Sequence, residues 1–112
     1  MKLATELHQL LTNDMKVERL PDFFLAGTIT DPNHTKRRMQ QRAISTDMIE
    51  LALLYGKKEY CSNAKTFTIL DKTLKHTPYR KFIDKLRGLR VIALETARGL
   101  KVTSVYWAWD LR

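Results

Sequence analysis

Only one cysteine, Cys61, occurs among the 112 residues, which rules out an intrachain disulfide and a cysteine-based zinc cluster. With no base beside it, Cys61 is expected to be a packing residue. Glycine is scarce: four, all scattered singly, so there is no glycine-rich loop to cradle phosphates. No apolar run approaches the roughly 18–20 residues that a membrane-spanning helix needs. Met1-Lys2 is followed by neither an apolar block nor a small-residue cleavage site, so no signal peptide is expected. The three histidines, His8, His34 and His76, lack metal-ligand spacing and nearby carboxylate partners. Paired carboxylates for two-metal chemistry are missing too, since Asp47, near Glu50, is explained as a helix-start residue. These absences predict a cytoplasmic protein with no membrane partner, no metal and no cofactor.

Positive charge is what the chain has in excess. The net charge is +8 and the pI about 9.8. Residues 1–33 hold three basic and five acidic side chains, whereas residues 34–112 hold seventeen and seven. Such a field attracts polyanions, although excess charge also simply keeps a protein in solution. Hydrophobic residues at 44% are enough for a single-domain core.

Residues 3–12 have the spacing of an amphipathic helix, with Leu3, Leu7, Leu10 and Leu11 on one face. Residues 17–26 read as an apolar connector around Pro21, and Thr28-Ile29-Thr30 as a short strand. Asp31 and Pro32 suit the cap and first position of a very polar helix over 32–42. A second helix is expected from the Ser45 cap, with Ile44 stapled onto Ile49 and Gly56 as a left-handed stop. The period then becomes that of strands. Hairpins are predicted over 57–70, turning at Ser62-Asn63-Ala64, and over 89–107, turning at Ala97-Arg98-Gly99. Between them runs a basic stretch, residues 72–87, with a helix predicted from a Thr77 cap through Tyr79, Phe82, Ile83 and Leu86 to a stop at Gly88. The fold class is therefore α+β: an antiparallel sheet of about four strands with two helices packed on it, plus an N-terminal helical extension.

Three features could carry chemistry. His34, Arg38 and Arg42 lie four apart and share a helix face, where an anion such as a phosphate would relieve their repulsion. His34 could also move protons near neutral pH. A merely solvated basic face has the same spacing. Lys36, Arg37, Lys72, Lys75, Arg80, Lys81, Lys85 and Arg87 could grip a nucleic-acid backbone. The aromatics interleaved with them, Tyr79 and Phe82, have helical spacing with Ile83 and Leu86 and are expected in the core. On the last strand, alternation sends Tyr106 and Trp107 to opposite faces, one into the core and the other free to stack or to offer a phenol.

Residues 34–107 resemble small bacterial domains related to the RelE and BrnT toxins of toxin–antitoxin systems. The likeness rests on His34-Thr-Lys-Arg-Arg-Met-Gln-Gln-Arg42-Ala-Ile-Ser45, Asp71-Lys72-Thr73-Leu74, Leu86-Arg-Gly-Leu-Arg-Val-Ile92 and Lys101-Val-Thr-Ser-Val-Tyr-Trp107. Where many such domains have glycine after the second arginine, this chain has Ala43, a change tolerated unless the corner needs a positive φ. The resemblance implies a RelE/BrnT-like domain over 34–112, preceded by a helix and connector over 1–33 that could be an added module or a partner-binding arm. It implies metal-independent RNA cleavage, on free or ribosome-bound mRNA, with an antitoxin protein as partner. His34 or Arg42 would stand near the attacking hydroxyl, Arg38 and Arg90 would stabilise the phosphate, and Tyr106 would give a proton or stack. A non-catalytic module binding nucleic acid or protein on the same fold is the alternative, and a homodimer is compatible with either.

Overall fold

The computed structural model describes residues 3–111; Met1, Lys2 and Arg112 lie outside the described residues. The fold is α+β, as expected, but its sheet is mixed rather than antiparallel and has five strands, in the spatial order Phe23–Leu25 (β1), Gly99–Trp107 (β5), Leu89–Thr96 (β4), Ala64–Thr68 (β3) and Lys57–Cys61 (β2). Helix α1, Leu3–Thr12, buries Leu7 and Leu11, the face anticipated from their spacing. A 3-10 turn over Met15–Arg19 follows, capped by Asp14. The fifth strand comes from the stretch read as a connector. Phe23–Leu25 (β1) runs parallel to Leu100–Val102, its ends fixed by bonds from the Leu100 amide to the Asp22 carbonyl and from the Ala26 amide to the Val102 carbonyl, 2.8 Å each. The segment predicted as a strand, Thr28–Thr30, is instead an exposed bend.

Helix α2, His34–Gln41, starts later than predicted and is flanked by Asn33, which makes no side-chain cap. Asp31 does not cap because its carboxylate is taken by Arg37, with His34 Nδ1 3.6 Å away. Helix α3, Thr46–Tyr55, begins at Ser45 as read, the hydroxyl accepting from the Met48 amide at 3.2 Å. Its stop differs: Gly56 is extended, at φ −65° and ψ 155°, not left-handed. Glycine is required there by proximity, since a Cβ would lie 2.5 Å from the Ala52 carbonyl oxygen.

The two hairpins form as predicted: β2, Lys57–Cys61, with β3, Ala64–Thr68, and β4, Leu89–Thr96, with β5, Gly99–Trp107. Between them a short helix, α4, Asp71–Leu74, comes first, and the single helix expected from Thr77 is instead a 3-10 turn over Arg80–Phe82 followed by a further short helix, α5, Ile83–Leu86. Tyr79 is drawn into the core there, its hydroxyl donating to Asp14 at 2.7 Å, and Phe82 is buried beside it, so both aromatics pack as expected. Cys61 is exposed on β2, contrary to its predicted packing role.

One sheet face, with Phe67, Val91, Ala93, Val102 and Val105, shares a single buried cluster with Leu7 and Leu11 of α1 and Ile49, Leu51, Ala52 and Leu53 of α3. Each of the larger of these side chains, from valine upward, contributes about 1.5–3 kcal/mol by leaving water. Packing does not divide at residue 33, because α1 and β1 belong to this cluster and this sheet. The other face, with Arg90, Ile92, Ser104 and Tyr106, is half-exposed. Among the described residues no helix is long and apolar enough to cross a membrane.

Candidate nucleic-acid interface

Helix α2 lies against β5 by burying Thr35 and Met39, which leaves His34 and Arg38 outward. Its C-terminal end is strapped down by a reciprocal pair. Arg42 donates from its guanidinium to the Val105 carbonyl at 2.6 Å, and the Trp107 indole donates to the Arg42 carbonyl at 2.8 Å. Trp107 is thus a structural anchor, while Tyr106, one residue back, faces the other way as alternation requires. Part of Arg42's donor capacity is already committed to holding the helix.

A register shift in the β4–β5 ladder shapes the surface beside α2. Ile92 opposes Ser104 and Ala93 opposes Val102, so Thr103 is the extra residue of a bulge. Val102 and Val105 both point into the core, and Thr103 and Ser104 lie between them, next to the helix. The result is a hollow of about 200 Å³ lined by His34, Thr35, Arg38, Arg42, Thr103, Ser104 and Val105. Arg42 also lines an adjoining hollow with Tyr106 and Trp109.

Arg90 continues the series. On β4 it stands opposite both Thr68 and Tyr106, donating to the Thr68 hydroxyl at 3.1 Å and to the Tyr106 hydroxyl at 3.4 Å. Its guanidinium carbon is 5.8 Å from the Tyr106 ring centre, within cation–π range. The five residues singled out from sequence therefore come together: His34, Arg38 and Arg42 share one hollow, Arg42 and Tyr106 the next, and Tyr106 bonds Arg90. His34 does have a nearby carboxylate after all, Asp31, as does His8, whose Nδ1 is 3.3 Å from Asp47.

The second set of cations is dispersed. Lys36 and Arg37 lie beside Asp31, Asn33 and Gln40, apart from the two hollows. Lys81 is paired with Glu6 at 2.6 Å, and Arg87 is held by Asp71 and Asp84. The Arg87 bond, together with the guanidinium charge, holds the Asp71 carboxyl below its usual pKa range. Lys72, Lys75 and Arg80 are exposed on the segment between the hairpins, and none of this segment's cations lines either hollow.

Sequence reasoning missed Thr35, Thr103 and Ser104. The only signal for Thr35 was its place between two predicted site residues on a basic helix, and for the other two there was none, because the bulge depends on pairing with β4. The chain matches no protein-family model, no curated protein and no solved structure.

Proposed function

We propose that the protein binds RNA along the strip from His34 to Arg90 and cleaves it without a metal, as a toxin-like endoribonuclease. The observation that carries this reading is that three separate elements bring these groups into one series: His34, Arg38 and Arg42 line one hollow, Arg42 and Tyr106 line the adjoining one, and Arg90, from the next strand, bonds the Tyr106 hydroxyl. Cleavage of this kind needs a group to take the ribose 2′ proton, cations for the crowded phosphate and a donor for the leaving oxygen. His34, half-exposed at the rim, suits the first task. Arg38 and Arg90 suit the second. Tyr106, whose hydroxyl is oriented by Arg90, suits the third. Arg42 positions the others by tying α2 to β5. The RelE/BrnT-like fold and an antitoxin partner belong to the same reading, supported by the basic helix leading into Ser45 and the two hairpins.

The test is digestion of labelled RNA in EDTA by the wild type, His34→Ala and Tyr106→Phe, with circular dichroism as a check on folding. Folded variants that lose at least about tenfold in rate support the assignment. Salt-sensitive binding without product would replace it with a docking module.

A further inference from the structure

Thr35 has a polar atom with nothing to bond. It is 1% exposed, and its Oγ1 has no hydrogen-bond partner. An unpaired buried hydroxyl costs about 1–3 kcal/mol, so natural structures rarely keep one without a use. Thr35 lines the 200 Å³ hollow, among Arg38, Arg42, His34 and the two hydroxyl residues of the bulge, Thr103 and Ser104. Thr103 Oγ1 is engaged with the Ile92 carbonyl at 3.2 Å. Asp31, the carboxylate beside His34, is held by Arg37 and does not line the hollow. Room is limited: hollows elsewhere on the described surface, beside Lys16 and Phe67 and beside Tyr60 and Lys101, reach about 530 and 600 Å³. The space is large enough for a tetrahedral oxyanion.

We infer that this hollow is a phosphate-binding subsite in which the Thr35 hydroxyl donates to a phosphoryl oxygen while Arg38 and His34 supply charge. The inference rests on the nucleic-acid reading of the same strip and deepens it, by assigning Thr35 as a substrate-contacting residue and a single phosphate as the group recognised. The Arg38 side chain is exposed and long, and such side chains change rotamer on a fast timescale. The same chemistry is presented by an internal phosphodiester and by a terminal phosphate of a cleaved strand.

Thermal unfolding with and without inorganic phosphate tests the subsite. Without phosphate, Thr35→Val is as stable as the wild type or more so, because it removes an orphaned hydroxyl at nearly constant volume. Saturating phosphate raises the wild-type Tm by roughly 4 °C or more, raises that of Thr35→Ser similarly, and leaves Thr35→Val unmoved. No shift in the wild type, or an equal shift in Thr35→Val, overturns the inference. If Thr35→Val fails to fold, the inference requires Arg38→Ala, unlike Lys75→Ala, to lose at least half of the phosphate shift, and a full shift in Arg38→Ala overturns it. Short RNAs with and without a terminal monophosphate then separate the two sources: tighter binding of the monophosphate strand assigns a product end, and equal binding an internal phosphodiester. RNA cleavage without a phosphate shift would defeat only the subsite, and a phosphate shift without RNA binding would defeat only the ribonuclease reading.

Discussion

Ala43, in the corner between α2 and α3, has φ +55°. This is the positive angle under which the change from glycine was expected to matter. A residue with a Cβ loses about 1–2 kcal/mol there, and glycine's greater freedom when unfolded offsets about 0.5–1 kcal/mol of any gain. Ala43→Gly should therefore stabilise the protein by up to about 1 kcal/mol in denaturant unfolding, and a loss of stability would contradict the corner's geometry. Asp14 is the other residue on which much depends. Its carboxylate caps the first 3-10 turn and accepts from both Tyr55 and Tyr79, at 2.6 and 2.7 Å. Burial pushes its pKa up, but the bonds from Tyr55, the Lys16 amide and Tyr79 outweigh that and hold it below 3.8. A depressed folded-state pKa stabilises the protein above about pH 3.8 and ceases to do so as pH falls through the lower folded value. Asp14→Asn should flatten that part of the stability–pH curve. Asp14→Ala, which strands the fully buried Tyr79 hydroxyl, should cost about 2 kcal/mol.

Elements were legible where their causes were local. Ser45, Ile44 and the spacing of Met48, Ile49 and Ala52 lie within a few positions of one another, and α3 begins where they say. Both hairpins follow from turn residues set between alternating runs. Phe23–Leu25 could not be read this way, because three apolar residues carry no period and their partner, Leu100–Val102, lies some 77 positions on. The broken helix between the hairpins has the same cause, since Tyr79 is drawn toward an Asp14 carboxylate 65 positions away. In the site, the His34, Arg38, Arg42 face was visible from helical spacing alone, whereas Thr103 and Ser104 owe their places to a bulge that exists only once β4 and β5 pair. The N-terminal third illustrates the consequence. With Leu7 fully buried in the shared core, Leu7→Ala should cost about 3 kcal/mol. Removing residues 1–30 should abolish cooperative unfolding altogether, and a folded remainder would restore the idea of a detachable arm.

Across the whole molecule the surplus of positive charge and the positions of the cations say different things. The net charge of +8 attracts any polyanion, and a field of that kind is screened by salt. RNA affinity should therefore fall at least tenfold between about 50 and 200 mM salt, whichever cations make contact. Only position separates a built site from a general attraction. Arg38 lines the hollow on α2, and Lys75 is exposed on the segment between the hairpins, so removing either changes the net charge equally. The most direct measurement is therefore the rate of RNA cleavage in EDTA by the wild type, Arg38→Ala and Lys75→Ala side by side. A metal-independent rate that Arg38→Ala abolishes and Lys75→Ala leaves within about threefold is the predicted result. No cleavage by the wild type, or equal losses in the two variants, would contradict a catalytic site on this helix.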